Sequence, residues 1–384
     1  MIRFLISGGG TGGHVFPAIA IANAIRETIP DAGILFVGAK GKMEMEKVPA
    51  AGYRIAGLTI AGFQRRFTWK NFIFPFKLAA SLVQARRIIK KFKPDVIIGV
   101  GGYASGPVLR TGVSLGIPAL IQEQNSYPGV TNRILSGKVQ KICVAYSGME
   151  KYFPGDKIIY TGNPVRQDLL NLDARRAEAL AYFSLSADKM TVLVLGGSLG
   201  AVTINRSVMR CLESGEAGEN IQWLWQCGKF YAKKLNKEIL ENPDIAAGRN
   251  RGNIFLHAFI DRMDLAYSAA DVVISRAGAI AISELCIAGK PVILIPSPNV
   301  AEDHQTKNAV SLATKNAALM ITDGEAVLKL GTVLNNLLAD KNLQESLKNN
   351  ILGIGVADAS RRIAAEALKL VRKNKTELPD KINF

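Results

Sequence analysis

The stretch MIRFLISGGGTGGHVFPAIAIANAIRE, residues 1–27, decides the fold of the first half of the chain. An apolar run of strand type enters the glycine-rich segment 8–13, and a run of helical type leaves it. Five glycines cost backbone entropy that a simple turn does not require, so the bare backbone predicts close approach by an anion. His14 stands where the loop meets the helix, and this position favours a functional role.

Gly8, Gly10 and Gly13 match the GxGxxG pattern of dinucleotide-binding loops. Such a site also needs an acidic residue at the end of the second strand, where it holds a ribose. The second strand-like run, ILFVGAKGK, ends in glycine, alanine and lysine; Asp31 comes too early and Glu44 too late. The sequence therefore argues against a nicotinamide cofactor, and the lack of a GxxxxGK[ST] motif argues against a P-loop nucleotidase.

Strand-like runs alternate with helical ones along the whole chain. The predicted strands are 2–7, 34–37, 96–100, 119–122, 142–145, 192–195, 223–226, 272–275 and 292–295. Nearly continuous apolar strands are typical of parallel sheets covered by helices on both faces. The fold class is therefore α/β and doubly wound.

Glycine-rich turns recur after two further strands, as GGYASGP (101–107) and GGSLGA (196–201). The turn at 196–201 indicates that a second Rossmann-like domain starts near residue 190. The segment 154–170, PGDKIIYTGNPVRQDLL, has the composition of a connector. We expect two such domains to face each other across a cleft, with ligands at the carboxyl ends of the strands.

The net charge of +16 predicts a negatively charged partner, and segment 63–93 concentrates it, with nine Lys or Arg and no Asp or Glu. Cations beside aromatic rings are typical of a peripheral protein on an anionic membrane surface. The alternative for the second part of the segment is a helix packed on a sheet, because its apolar residues recur at helical spacing. The aromatic candidates for membrane contact are Phe63, Phe67, Trp69, Phe72, Phe74 and Phe76, and the helical stripe is Leu78, Leu82, Ala85, Ile89 and Phe92.

Other classes of protein are disfavoured. No helix-turn-helix, zinc-knuckle or RNP pattern accompanies the charge, so nucleic acid is not expected as a partner. The apolar run after Arg3 is too short for a signal peptide, and no run approaches the roughly 20 residues that span a bilayer. The cysteines are far apart and form no CxxC motif, which is typical of reduced thiols. We expect a cytoplasmic chain.

The second half carries the pattern of a nucleotide-sugar site. In SRAGAIAISE (275–284), a helix that begins near Ala279 presents its unpaired N–H groups to a phosphate without a metal ion. Glu284 is placed to accept the hydroxyls of a ribose; the alternative is a solvated helix glutamate. The segment 296–309 adds polar side chains suited to a sugar, namely Asp303, His304, Gln305 and Asn308. No Asp-x-Asp motif occurs, and no cofactor or metal ion is expected.

Seven motifs in order resemble the MurG family of family-28 glycosyltransferases. They are GGGTGGHVFPA, GVGGYASGP, QEQNSYPGVTNR, GNPVR, GGSLGA, RAGAIAISE and DHQTKNA. The resemblance implies the GT-B fold, with an acceptor- and membrane-binding domain at 1–163 and a UDP-sugar-binding domain at 164–356. A C-terminal helix, about 357–384, returns to the first domain. The family works at the cytoplasmic face of the plasma (inner) membrane as a peripheral protein.

The resemblance also implies the substrates and their contacts. The donor is UDP-GlcNAc and the acceptor is lipid I, and the bare GGGTGG backbone is expected to admit the lipid-linked diphosphate. Uracil meets the backbone near Ile260, Glu284 holds the ribose, Ser198 and the helix at Ala279 hold the diphosphate, and Gln305 reads the sugar. Donor contacts are placed at Thr11, Gly12, Gly13, Asn125, Arg166, Ser198, Ile260, Ala279, Ile280, Ala281, Ile282, Ser283, Glu284 and Gln305. The chain departs from the family at Gln122, where His is frequent, and at Leu199, where Gln is frequent.

The implied reaction is an inverting transfer in which the C4 hydroxyl of the MurNAc group attacks C1 of the donor sugar and UDP departs. His14 is the candidate base, because neutral imidazole is present at pH 7; contact with the acceptor diphosphate is its alternative role. Two other functions stay open at this stage. One is a UDP-GlcNAc 2-epimerase, which needs no lipid acceptor, and the other is a membrane-tethered sugar-nucleotide-binding subunit without turnover.

Overall fold

The computed structural model describes residues 1–60, 70–165, 167–169, 172–197, 199–215, 220–242, 245, 253–300 and 303–371. The chain divides into two compact units. The first comprises Met1–Arg166 and Val356–Phe384, and the second comprises Gln167–Gly355.

The first unit is built on a parallel sheet of seven described strands in the order β3-β2-β1-β4-β5-β6-β7. The strands are β1 Arg3–Gly8, β2 Gly33–Ala39, β3 Arg54–Leu58, β4 Val96–Gly101, β5 Ala119–Glu123, β6 Lys141–Val144 and β7 Ile158–Tyr160. The first helices are α1 Gly12–Thr28, α2 Glu44–Ala50, α3 Lys70–Phe92, α4 Ser105–Ser114 and α5 Val130–Leu135, with short 3-10 turns at Met149–Lys151 and Gly155–Lys157.

Helices cover both faces of this sheet, as the nearly continuous apolar strands predicted. Along β1, Phe4 and Ile6 pack in one core with α1, whereas Leu5 packs in the other core with α3 and α4. The last described helix of the chain, Ala359–Lys369, belongs to this unit and packs against α1. Its Ile363 is fully buried in the same core as Phe4.

The second unit repeats this plan with six described parallel strands in the order β10-β9-β8-β11-β12-β13. The strands are β8 Met190–Leu195, β9 Ile221–Gln226, β10 Ile254–His257, β11 Val272–Ser275, β12 Val292–Leu294 and β13 Leu319–Met320. The helices are α6 Arg176–Phe183, α7 Val202–Ser214, α8 Ala232–Glu241, α9 Met263–Ala269, α10 Ala279–Ala288, α11 His304–Ala313, α12 Ala326–Ala339 and α13 Lys341–Leu352, with 3-10 turns at Gln167–Leu169 and Asp173–Arg175. The α/β, doubly wound fold class is confirmed.

Each sheet has a topological switch point, where neighbouring strands lead to helices on opposite faces. In the first unit β1 pairs with β2 on one side and with β4 on the other. In the second unit β8 pairs in the same way with β9 and β11. Ligands of open α/β sheets bind outside the carboxyl ends of strands at such points, and these are the ends that carry the glycine loops.

One expectation from the sequence needs correction. The segment 154–170 is not a connector throughout, because its residues Ile158–Tyr160 form β7 and pair with β6 at the edge of the first sheet. The apolar pair of isoleucines supplies enough strand character for one more edge strand. No helix in the described ranges is long and apolar enough to cross a membrane.

Candidate active site

The first glycine loop joins β1 to α1 at the carboxyl end of the first sheet. β1 ends at Gly8 and α1 begins at Gly12, with Thr11 immediately before it. None of the described side chains caps this helix, and its first turn contains no acidic residue. The N–H groups of Gly12 and Gly13 have no intrahelical acceptors, so they form a positive end that stabilises an anion.

His14 lies between this loop and the second glycine loop, which follows β4. Its Nδ1 is 3.2 Å from Thr11 Oγ1. The imidazole fills the space beside Gly101, where a Cβ would come within 2.8 Å of Nε2. At Gly102 a Cβ would be 2.2 Å from the carbonyl oxygen of Gly9. The two glycine loops are therefore in direct contact, and the imidazole lies where they meet.

Glu44 corrects an expectation based on spacing. The sequence indicated that this residue comes too late to reach the end of the second strand. In the structure it is fully buried, and its Oε1 accepts a hydrogen bond from the Ala39 N–H group at the end of β2, at 2.9 Å. The spacing misled because α2 begins at Glu44 and packs beside β2. The carboxylate is enclosed by protein, and this agrees with the argument against a dinucleotide.

Glu123 supports the loop that carries Asn125, and the sequence analysis did not single it out. It is buried at the end of β5, and it accepts hydrogen bonds from the main-chain N–H groups of Asn125 and Gly129, both at 3.0 Å. Asn125 Nδ2 donates at 3.3 Å and Asn132 Nδ2 at 2.8 Å. Burial raises the pKa of Glu123 above its usual value, because these hydrogen bonds, which lower the pKa, offset the desolvation only in part. An acid just after the apolar run 119–121 of a predicted strand was the signal that could have found it.

Gln122, the first departure from the family pattern, belongs to a network of buried amides. Its Nε2 donates to Asn163 Oδ1 at 2.9 Å, and its side-chain oxygen accepts from Gln124 Nε2. Asn163 Nδ2 in turn donates to the Gln124 carbonyl at 2.9 Å. Because all three side chains are buried, this departure changes the interior support of the loop and not its surface. Arg166 lies outside the described residues.

In the second unit, α10 begins directly after β11 and the segment 276–278. Gly278 precedes the helix, no side chain in the described ranges caps it, and its first turn has no acidic residue. The first N–H groups of α10, at 279–281, therefore form a second positive helix end. Residues 279–284 all lie in the first two turns of this helix, as expected.

The glycine loop 196–201 follows β8, which neighbours β11. The two predicted phosphate-binding segments therefore meet at the switch point of the second sheet. Ser198, expected at the diphosphate, lies outside the described residues. Leu199, the second departure from the family pattern, is 68% exposed, so this change places an apolar side chain on the solvent side of the loop.

Glu284 is buried, with 9% of its surface exposed, and so the alternative of a solvated helix glutamate is excluded. The hydroxyl of Tyr267 on α9 donates a hydrogen bond to Glu284 Oε2 at 3.3 Å. A buried carboxylate needs hydrogen-bond donors, and the paired hydroxyls of a ribose are donors of the right kind.

Gln226, at the end of β9, connects two segments that were expected to touch the donor. Its Oε1 accepts from the Ile260 N–H group at 2.8 Å, and its Nε2 donates to the Gly197 carbonyl at 3.1 Å. The N–H group of Ile260 is therefore already used inside the protein. The sequence analysis missed Gln226, because its partners lie 29 and 34 residues away along the chain.

Gln305 and Asn308 are placed by the first turns of α11. Gln305 Oε1 accepts from the Ser297 N–H group at 2.9 Å, which holds the amide in one orientation with Nε2 as its donor. Asn308 is fully buried, and its Nδ2 donates to the Ala277 carbonyl at 3.2 Å, just before α10. Asn308 therefore supports the segment that precedes α10, whereas Gln305 stays the residue of this pair that was predicted to contact the sugar.

Arg276 is neutralised inside the second unit. Its Nη1 donates to the Ile295 carbonyl at 2.9 Å and to Asp323 Oδ1 at 2.5 Å, and Asp323 also accepts from Thr203 Oγ1 at 2.8 Å. The charge of Arg276 is therefore balanced within the protein. In the part of the chain that the structure covers, no group of three or more His, Cys, Asp or Glu side chains is arranged to hold a metal ion.

Helix α3, part of the basic segment 63–93, has a buried and an exposed face. Of the predicted helical stripe, Ala85 and Ile89 are buried in the core and Phe92 packs against it, whereas Leu78 and Leu82 are only partly buried. On the opposite face Phe76 is 77% exposed and Val83 is 51% exposed. The remaining aromatic candidates cannot be placed, because Phe63, Phe67 and Trp69 and the side chains of Phe72 and Phe74 lie outside the described part.

Known proteins match the chain over nearly its whole length. The family model for the glycosyltransferase family 28 N-terminal domain matches residues 4–144, and the model for the C-terminal domain matches residues 191–363. A UDP-N-acetylglucosamine–N-acetylmuramyl-(pentapeptide) pyrophosphoryl-undecaprenol N-acetylglucosamine transferase from Flavobacterium psychrophilum is 52% identical, over 97% of this chain and 99% of that protein. The protein of the same name from Bacteroides thetaiotaomicron is 54% identical, over 96% and 98%.

Among solved structures, MurG from Acinetobacter baumannii is similar with a TM-score of 0.74 and 27% identity, covering 96% of this chain and 100% of that one. The two parallel-sheet units, each with its glycine loop at a switch point, are thus those of a GT-B glycosyltransferase. The sequence identity to the relatives, the two matching domain models and this fold all indicate the same family. The chain belongs to glycosyltransferase family 28 and, within it, to the MurG family.

Proposed function

We propose that this chain transfers GlcNAc from UDP-GlcNAc to the C4 hydroxyl of the MurNAc group of lipid I, which gives lipid II. The observation that carries the proposal is the uncapped end of α10 beside the buried carboxylate of Glu284, a diphosphate site next to a ribose site. The substrates are those in the names of the relatives that share half of the sequence.

For the donor, we assign the diphosphate to Ser198 and the first N–H groups of α10, and the ribose to Glu284. Because the Ile260 N–H group donates to Gln226, we assign uracil N3–H to the Ile260 carbonyl. Gln305 donates from Nε2 to a hydroxyl of the sugar. A helix end costs no reorganisation when negative charge develops on the leaving UDP, and this is the condition for electrostatic catalysis.

The resemblance places Thr11, Gly12 and Gly13 among the donor contacts, but we have assigned the donor diphosphate to Ser198 and the start of α10. We therefore assign the acceptor diphosphate to Thr11, Gly12 and Gly13 at the start of α1, and we keep Asn125 and Arg166 as donor contacts, as the resemblance implies. His14 is the general base. Its Nδ1 faces Thr11 Oγ1, a contact that holds the imidazole in place. The base takes the proton of the C4 hydroxyl as its oxygen bonds to C1 of the donor sugar. The bond from C1 to the diphosphate breaks with inversion, and the link formed is β-1,4.

The membrane surface is also a proposed partner. The exposed face of α3 carries Phe76 and Val83 together with the exposed cations Arg86, Arg87 and Lys90. Rings and cations on one face suit an anionic bilayer, which holds the polyprenyl tail of the acceptor. We therefore place the chain at the cytoplasmic face of the inner membrane, with the first unit as the acceptor- and membrane-binding domain and the second as the UDP-sugar-binding domain.

The test uses labelled UDP-GlcNAc and a lipid I analogue. We expect label in the lipid product and equimolar release of UDP. Formation of the C2 epimer of the donor without any acceptor would instead support an epimerase. Binding of UDP-GlcNAc without turnover would support the non-catalytic subunit.

A further inference from the structure

Glu44 is a buried charged residue that the proposed reaction does not use. Its Oε2 accepts a hydrogen bond from the Gly10 N–H group at 2.9 Å, while its Oε1 accepts from Ala39 at the same distance. One carboxylate thereby joins the middle of the first glycine loop to the end of β2. Removing the charge of a buried carboxylate leaves its donors without full partners, so this connection matters energetically.

We propose that Glu44 is a positioning residue for acceptor binding. It turns the Gly10 N–H group toward the protein interior, and this fixes the loop so that the N–H groups of Gly12 and Gly13 face the acceptor diphosphate. The proposal rests on the proposed function for the nature of the anion. The contacts of Glu44 with the loop do not depend on it.

At two positions, a side chain larger than that of glycine would collide with this carboxylate group or its stem. A Cβ at Gly9 would be 2.2 Å from Glu44 Oε1, and a Cβ at Gly38 would be 2.5 Å from Glu44 Cγ. Gly9 therefore serves an internal contact and not the ligand. The glycines that remain for an anion are those at the start of α1.

The same contacts explain why a loop of dinucleotide type takes a different ligand. In a dinucleotide site, the acid at the end of the second strand is open to the hydroxyls of a ribose. Here Glu44 reaches the end of that strand, but its two oxygens accept from the main chain and no part of it is exposed. A ribose finds neither an acceptor nor space, and the loop is left with an anion site alone.

The test compares Glu44→Gln with Glu46→Gln. Glu46 lies on the same helix with an 80% exposed side chain, so it controls for the loss of one charge. In Glu44→Gln the side-chain NH2 group replaces one acceptor oxygen and faces a main-chain N–H group. Two donors then oppose each other, and one of the two hydrogen bonds is lost. We expect the acceptor KM to rise about tenfold or more, with the donor KM within twofold of wild type and kcat within threefold. Glu46→Gln should match wild type throughout.

Hydrogen exchange separates positioning from general loss of structure. In Glu44→Gln we expect faster exchange in residues 9–13 and unchanged exchange in residues 196–201. An unchanged acceptor KM, or an equal rise in both KM values, would overturn the proposal. If Glu44→Gln does not fold, Glu44→Asp, which keeps the charge but shortens the reach, is judged by the same criteria. If wild type transfers no sugar to the lipid I analogue, the proposed function fails, whereas the exchange result still decides whether Glu44 fixes the loop.

Discussion

The hydroxyl of Tyr267 donates to Glu284 Oε2 at 3.3 Å, so a buried tyrosine orients the carboxylate that we assign to the donor ribose. The two residues lie on neighbouring helices, α9 and α10. A carboxylate that is held before the ligand arrives loses less conformational freedom on binding, and this preorganisation favours affinity.

Glu284→Ala should weaken UDP binding by about 1.5 to 3 kcal/mol, because a hydrogen bond to a charged group is lost. Tyr267→Phe keeps the carboxylate and should weaken binding by about 1 kcal/mol. Calorimetric titration with UDP measures both. Glu345→Ala, at an exposed position of the same unit, is the control and should leave the dissociation constant unchanged. Normal UDP affinity in Glu284→Ala would refute the ribose assignment.

Gln226→Met should weaken UDP binding by about 1 to 3 kcal/mol, because the Ile260 N–H group and the Gly197 carbonyl both lose their partner. A matched control lies on the same strand. Gln222 is an equally buried amide at the other end of β9, where it bonds with Ser186 and Thr191. Gln222→Met should reduce stability similarly but leave UDP affinity intact. Equal effects of the two variants on UDP affinity would mean that Gln226 has no special link to the donor.

The local parts of this site could be predicted from the sequence. The strand, glycine loop and helix around His14 follow from patterns within 27 residues, and the helix that carries Glu284 follows in the same way. Residues such as Glu44, Gln226 and Tyr267 could not be found so, since their partners are 34, 34 and 17 residues away and are fixed only by packing.

Edge strands escaped prediction for a related reason. β3 contains one arginine and one glycine in five residues, and β13 has only two residues. The composition of neither segment predicts a strand. Each forms because a neighbouring strand, β2 or β12, offers a free edge with parallel hydrogen-bonding groups.

His14→Ala should lower kcat at saturating acceptor by roughly 100-fold or more, since a general base contributes an effect of this size. Thr11→Val, which removes the hydroxyl beside Nδ1, should lower kcat less. Steady-state kinetics with both substrates varied gives the answer. A normal kcat with a raised acceptor KM would reassign His14 to diphosphate contact, and full activity would exclude both roles.

Asp264 makes the second unit sensitive to acid. Burial opposes its ionisation, but hydrogen bonds from Arg262 and Arg175 outweigh this and lower the pKa of Asp264 to about 2. A lowered pKa contributes stability above the ordinary value of 3.8, and this stability is lost as the pH falls toward 2. Asp264→Asn should therefore cost about 2 kcal/mol of unfolding free energy at pH 7. Urea unfolding at pH 7 and at pH 2.5 tests this, and the difference between wild type and variant should shrink at the lower pH.

The exposed face of α3 gives the last prediction, which concerns the membrane. Phe76 and Val83 are seven residues apart and lie on one side of the helix, opposite Ala85 and Ile89 in the core. Replacing both with serine therefore reduces the exposed apolar surface of the helix and opens no cavity in the core. The cations beside them should add an attraction that depends on salt, because the Debye length falls to about 3 Å at 1 M.

The double variant Phe76→Ser/Val83→Ser should bind vesicles of anionic phospholipid at least tenfold more weakly than wild type, because full burial of even one such side chain is worth about 1.5 to 3 kcal/mol and a factor of ten corresponds to about 1.4 kcal/mol. Its KM for UDP-GlcNAc should not change, since Ser198, α10 and Glu284, to which we assign the donor diphosphate and ribose, belong to the other unit. Phe230→Ser is the matched control: Phe230 is 80% exposed but belongs to the second unit, so its loss should leave vesicle binding intact. Sedimentation with vesicles at low and high salt measures both contributions. If the double variant sediments like wild type, or if Phe230→Ser weakens binding as much, then α3 is not the membrane-binding surface.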